Sequence, residues 1–275
     1  MARPTRMEFP GASYLVSTAA VTGRPAFGTE ADRAEFLDVL AQISRRLGWQ
    51  THAYALLEDH YLLFLQTPQA DLSRGMRQLN GVYTQHFNQR TGTDGSLFQG
   101  RFKALLVDTE TWYREVLRHV LNEPRRRARI RRVERYSGSS LGHLLAPESA
   151  PEWLPAAEVL THFGRTRAKS VAALQAWLAE PDTFDPRQHV RRQIFLGDEA
   201  FIDEAQRLAS RRARGNSGKR SDLKGFLRGQ ADKKAAMARA YLSGHFRMQE
   251  IADFFDVHYS TVSRAVKAWE ATQGN

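Results

Sequence analysis

The 275-residue chain contains no cysteine. Disulfides, thiolate metal sites and cysteine nucleophiles are therefore excluded together. Long apolar runs are missing as well. The opening stretch, "MARPTRMEFPGASYLV", lacks the core of a signal peptide, and nothing later approaches the length of a membrane span. A cytoplasmic, nucleoid-associated location without a membrane partner is expected. Acidic residues are in the minority, with Asp+Glu 30 against Lys+Arg 40, a formal charge of +10 and a pI near 10.1. Such an excess favours polyanions, nucleic acid first, because each neutralised phosphate releases condensed counterions. The plainer alternative is a basic protein with no such partner. Hydrophobic residues at 42% rule out a disordered chain, and the length suggests two or three modules.

One further absence is local. The stretch "LLEDHYLLFLQTP" (Leu56–Pro68) reads as a strand with a histidine at its start. Two histidines two residues apart on a strand point to one face and can share a metal. Here His60 fills the first place and Leu62 the second.

The patterns around it alternate. "ASYLVSTAAV" predicts a strand and "EADRAEFLDVLAQISRRLG" an amphipathic helix. "WQTHAYALL" and "YLLFLQT" predict a hairpin turning at Glu58-Asp59. A helix over "LSRGMRQLNGVYTQHFNQRTG", a strand "KALLVD" and a helix "ETWYREVLRHVLNE" follow. Asp108-Thr109 should cap this last helix and Pro124 should end it. The order β-α-β-β-α-β-α is ferredoxin-like, with an antiparallel sheet and one extra helix. The fold class is thus α+β, a ferredoxin-like domain followed by an all-helical region. The expected division is a sheet domain with a basic tail over 1–135, a helical connector over 136–212, a linker over 213–222 and a terminal domain over 223–275.

The basic tail is "RRRARIRRVER", seven arginines within Arg125–Arg135. Like charges this close repel unless an anion gathers them, so Arg125, Arg126, Arg127, Arg129, Arg131 and Arg132 are candidate phosphate contacts. A solvated face is the alternative.

Near the end, "RMQEIADFFDVHYSTVSRAVKAWE" fits a helix-turn-helix. Ala252 provides the small residue where the helices cross, and Asp256 takes the turn, where Asp tolerates a left-handed backbone. Ile251, Val257, Val262 and Val266 have the spacing of the contacts between the helices. Tyr259, Ser260, Thr261, Ser263, Arg264 and Lys267 are left for the exposed face of the second helix, which would enter the major groove of duplex DNA. An ordinary helical hairpin is the bland alternative. One such motif binds weakly alone, so a homodimer or help from the arginine run is expected.

Together "EFPGASY", "HYLLFLQTP", "LSRGMRQLNGVYTQHFNQRTG", "GSLFQGRFKALLVD" and "LRHVLNEP" resemble the single-tyrosine HUH transposases, the IS200-like family, in their REP-associated form. In that family two histidines and a polar residue of the last helix hold a divalent metal, and a tyrosine of that helix attacks single-stranded DNA. The resemblance puts the histidine pair on His60 and Leu62, the tyrosine on His119 and the polar residue on Glu123. A further strand histidine falls on Leu15, and a basic segment after the first strand becomes "STAAVTGRP". Tyr113 stands six residues before His119, about 240° around the helix, and does not replace the nucleophile. Four departures at one site imply lost chemistry and no cofactor.

A rebuilt metal site of His60, Glu115, His119 and Glu123, taking Mg²⁺ or Mn²⁺, is the enzyme alternative. Glu115, His119 and Glu123 share a helix face by their spacing of four. A histidine between two glutamates held by charge pairing explains the same pattern. The resemblance also implies nucleic-acid contacts, hairpin or single-stranded, along Arg77, Tyr83, Arg90, Phe98, Gln99, Arg101 and Lys103, although Phe98 suits the core equally. Aromatic and basic residues interleaved in this way suit stacking plus phosphate contact. The expected function is sequence-specific DNA binding or transcriptional regulation by an inactive transposase relative. An active nuclease and an RNA-binding regulator using the sheet are the alternatives.

Overall fold

The structure, a computed structural model, describes residues 7–218, 232–242, 246 and 248–273. Strand β1 (Ala12–Ala19) leads to helix α1 (Glu30–Leu47). Thr29 begins that helix with a capping box. Its hydroxyl accepts the Asp32 N–H, and the Asp32 carboxylate accepts the Thr29 N–H in return. Strands β2 (Gln50–Leu57) and β3 (His60–Thr67) form the hairpin around Glu58-Asp59. Helix α2 (Leu72–Thr91), strand β4 (Lys103–Val107) and helix α3 (Thr109–Ala128) complete the predicted order.

The sheet order is β2-β3-β1-β4-β5. Pairing is antiparallel between β1 and β3, β1 and β4, and β2 and β3, as a ferredoxin-like sheet requires. The two faces are divided by strand alternation. From β3, Tyr61 enters an aromatic cluster with Phe27, Phe36 and Phe98. His60, Leu62 and Phe64 point the other way, where Phe64 meets Tyr113 of α3 at 5.2 Å between ring centroids. That alternation sets His60 under α3.

Three details depart from the sequence reading. Helix α3 does not stop at Pro124 but continues to Ala128, and Arg129 ends it with φ 55°. Proline's fixed φ is helical, and the Pro124 carbonyl still accepts from Arg129 and Ile130. The region beyond residue 135 is not all helical. Strand β5 (Phe195–Leu196) returns to pair with β4 in parallel, at Leu106 and Val107. Nor does the segment 136–212 form a connector with its own core. Val133, Leu144, Trp153, Leu174 and Ile202 are buried in the same cluster as the sheet residues. Between them run α4 (Leu141–Leu145), α5 (Ala156–Thr161), α6 (Arg167–Ala179) and α7 (Pro186–His189).

Helix α8 (Glu199–Gly218) runs into the expected linker, of which residues 219–222 lie outside the described residues. Two compact units result, 1–209 and 210–275. The second holds α9 (Lys233–Leu242), α10 (Met248–Phe255) and α11 (Tyr259–Gln273). Their small core is built from Met237, Ala240, Ile251, Ala252, Val262 and Ala265.

Candidate active site and nucleic-acid surfaces

Helix α3 packs across β2 and β3 and brings His60 and Glu123 together, as the resemblance implies. Nε2 of His60 lies 3.0 Å from Oε1 of Glu123, and Nδ1 lies 2.6 Å from Oδ1 of Asp59. Both ring nitrogens thus face carboxylates. Burial disfavours the imidazolium, but the two carboxylates outweigh it and raise the His60 pKa. An imidazole protonated at both nitrogens has no lone pair left for a metal. Leu62, on the same face, is 6% exposed and presents only hydrocarbon.

Arg126 fills the middle of the site. Its guanidinium donates to Oε2 of Glu123, to Oδ2 of Asp182 at 2.9 Å and to Nδ1 of His119 at 3.0 Å. It also donates to the His119 carbonyl at 2.8 Å. Burial raises the Glu123 carboxyl, yet hydrogen bonds from His60 and Arg126 prevail and bring it down to about 2. His119 is lowered to about 4, first by burial and then by the positive charge of Arg126. It is a neutral acceptor at Nδ1, edge-on to Phe184 at 6.1 Å. Glu115 joins none of this, having no hydrogen bond or ion pair among the described residues. Among those residues no group of three or more His, Asp or Glu side chains is arranged to hold a metal ion. The donor set does not fit the family's cation: one ligand position is aliphatic, His60 is held between two carboxylates, and Glu123 and His119 accept from the Arg126 guanidinium.

Asp182 and Phe184, which come from the stretch between α6 and α7, carry no local sequence signal. That stretch crosses α3, with Phe184 stacked on Trp112 at 5.4 Å. Arg118 donates to the Trp177 carbonyl at 2.6 Å and Arg125 to the Leu178 carbonyl at 3.3 Å. The acid and the ring lie 59 and 65 residues beyond Glu123 and His119, a separation no local pattern encodes.

Neither Tyr113 nor Tyr136 takes the position that the resemblance gives to the nucleophile. The Tyr113 hydroxyl lies 3.0 Å from Nδ1 of His52, and burial pushes its phenol up. The Tyr136 hydroxyl donates to the Leu56 carbonyl at 2.6 Å.

The expected nucleic-acid residues separate into two sets. Tyr83 is fully buried, stacked on Phe27 at 5.5 Å and donating to the Ala26 carbonyl. Phe98 is buried among Phe27, Tyr61 and Tyr83. Neither ring can stack on a base, which corrects that expectation. Arg90 is paired with Asp32 and Glu35 of α1. Arg125 and Arg126 likewise serve the interior contacts described above. Exposed and without a side-chain partner among the described residues are Arg77, Gln99, Arg101, Lys103, Arg127, Arg129, Arg131 and Arg132.

In the terminal unit Asp256 has φ 52°, as its turn position requires, and Val257 N–H donates to the Ala252 carbonyl at 3.0 Å. Val262, Ala265 and Val266 face inward. Tyr259 is 52% exposed and Arg264 exposed, with Ser260, Thr261 and Ser263 half-buried beside them. The side chain of Lys267 lies outside the described residues.

The family model described as "Transposase IS200 like" matches residues 18–121. This segment is similar to the IS200-like transposases. A second model, "Homeodomain-like domain", matches residues 228–274, the helix-turn-helix. The transposase match runs from the end of β1 to the middle of α3 and so includes His60, Leu62 and His119. The chain is also similar to a solved REP-associated tyrosine transposase bound to a REP hairpin, at 16% identity and a TM-score of 0.47. That likeness covers 55% of this chain and 89% of the other. A search of the curated proteins finds no match. No helix among the described residues is long and apolar enough to cross a membrane.

Proposed function

We propose that the chain is a DNA-binding protein whose IS200-like transposase domain no longer cuts its substrate. One observation carries this reading. At the position the family gives to its tyrosine stands His119, whose Nδ1 accepts a hydrogen bond from Arg126. An imidazole cannot form the 5′-phosphotyrosine link, and Leu62 removes a metal ligand beside it.

Duplex recognition falls to α11, where Tyr259 and Arg264 face solvent and Arg264 has the reach to read a guanine edge. The free arginines Arg127, Arg129, Arg131 and Arg132 supply sequence-independent affinity through phosphates. Transcriptional regulation, or occupancy of a repeated chromosomal element as a homodimer, is the biological role that follows.

The test presents hairpin-bearing single-stranded DNA with Mg²⁺ or Mn²⁺ and measures strand cleavage and covalent adduct. No product is expected; metal-dependent turnover overturns the proposal. The contact between His60 and Glu123 favours a second reading, an endonuclease with a rebuilt site. That reading requires calorimetric metal uptake which disappears in His60→Ala. Competition among duplex DNA, hairpin DNA and RNA separates an RNA regulator from both.

A further inference from the structure

Resting on the reading of α11 as the helix that enters duplex DNA, we infer that His258 is a positioning residue for recognition: its imidazole caps α11 and fixes the Tyr259 ring at the end that meets the bases. His258 directly precedes α11. The backbone around it is held on both sides. Asp256 turns the chain at φ 52°, Val257 N–H donates to the Ala252 carbonyl, and the His258 carbonyl accepts from Thr261 N–H at 2.8 Å.

The side chain closes the cap. Nδ1 of His258 accepts from the Ser260 hydroxyl at 2.8 Å and from the Ser260 backbone N–H at 3.4 Å. Because that N–H can only donate, the lone pair is on Nδ1 and the ring proton on Nε2. Two bonds to one ring nitrogen leave the imidazole little freedom to turn. Its neighbour is Tyr259, at 4.6 Å between ring centroids and tilted by 50°.

Capping alone does not call for an imidazole. Ser, Thr, Asp and Asn are the side chains that suit this position, and each would satisfy the same N–H. What histidine adds is a ring, and that ring stands against an aromatic that is 52% exposed. Residues at the start of a recognition helix are the ones that reach base edges. An exposed tyrosine there has to be ordered on binding, which costs roughly 2–10-fold in affinity for one such side chain. A neighbouring ring that is already fixed removes part of that cost before DNA arrives.

The experiment uses the full chain, a duplex that wild type selects from a randomised pool, and the scrambled counterpart of that duplex. Fluorescence anisotropy reads affinity on both, and thermal melting of the protein alone reads the cap. His258→Asn keeps a capping oxygen and removes the ring. It should melt as wild type does, lose roughly 2–10-fold on the selected duplex and lose nothing on the scrambled one. His258→Ala should lower both the melting temperature and the affinity. On a Tyr259→Ala background His258→Asn should cost nothing further, because the residue acts through that ring. His258→Ser, which also caps without a ring, serves if the Asn variant fails to fold. A capped variant that binds the selected duplex as tightly as wild type overturns the inference. So does a loss that is as large without the Tyr259 ring as with it. A wild type that selects no sequence sinks the duplex reading and the inference together, whereas a selective wild type with an unaffected Asn variant sinks the inference alone.

Discussion

Glu123 bridges two partners of different kinds, the His60 ring at Oε1, 3.0 Å away, and the Arg126 guanidinium at Oε2. Strand β3 and helix α3 are joined through this one carboxylate. Glu123→Ala leaves His60 with Asp59 alone and Arg126 with Asp182 and His119. Removing one partner of a buried, hydrogen-bonded pair costs about 3–5 kcal/mol, and partial solvation of Arg126 moves the expectation to the low end. Urea denaturation should show the midpoint falling with an unchanged slope.

Two strongly depressed histidines predict acid lability. His52 and His119 are both lowered to about 4, chiefly by burial. An unfolded histidine titrates near 6.5, so below that pH the unfolded chain binds more protons than the folded one. Stability from these groups is complete above about 6.5 and is lost as pH falls towards 4. His60, with its raised pKa, works in the opposite sense: its share is present below 6.5 and is lost as pH rises through its folded value. Thermal midpoints from pH 7 to 4 should therefore fall. His52→Gln, which keeps a polar partner for Tyr113, should flatten the acid limb; an unchanged limb in that variant sinks the assignment.

Tyr83 and Arg77 lie on the same helix, six residues apart, and test opposite expectations. Tyr83 is core, with its ring among Phe27, Phe36 and Phe98. Tyr83→Ala should cost about 3–5 kcal/mol of stability, the range for truncating a buried aromatic. Affinity for DNA per folded molecule should not change. Arg77→Ala should leave the melting temperature within error. A Tyr83→Ala protein of normal stability that binds DNA poorly would restore the ring to the nucleic-acid surface.

What the sequence made legible follows from locality. Alternation and 3.6-residue periodicity placed the first seven elements, and the Asp108 cap marked the start of α3. The turn residue Asp256 and the small Ala252 marked the helix-turn-helix because both are dictated by backbone geometry within a few residues. The contact of His60 with Glu123 was legible only through the resemblance. Arg126 looked like one of seven equivalent arginines, since nothing local told it that Asp182 would cross over α3. Tyr83 and Phe98 misled for a related reason: an aromatic at helical spacing reads the same whether it faces a base or a core. Strand β5, two residues long, has too short a pattern to register.

The arginine run should separate affinity from specificity. Arg127, Arg129, Arg131 and Arg132 are exposed at and after the end of α3, free of partners among the described residues, while Arg125 and Arg126 hold interior contacts. Phosphate contacts release counterions, and each lowers the slope of log K against log salt by about 0.9 on duplex DNA. Replacing the four free arginines by glutamine should therefore weaken duplex binding and shallow the slope by up to about 3.6 if all four touch phosphate. Discrimination between sites should survive, because phosphates carry no base identity. Arg264→Ala on α11 should do the reverse. It should relax the preferred sequence at one position, a loss of about 1–3 kcal/mol in discrimination, and shift the salt slope by one contact at most. Fluorescence anisotropy on specific and scrambled duplexes at several salt concentrations reads both quantities. Equal loss on both duplexes for Arg264→Ala would move base reading off that arginine, and an unchanged slope in the fourfold variant would take the arginine run off the phosphates.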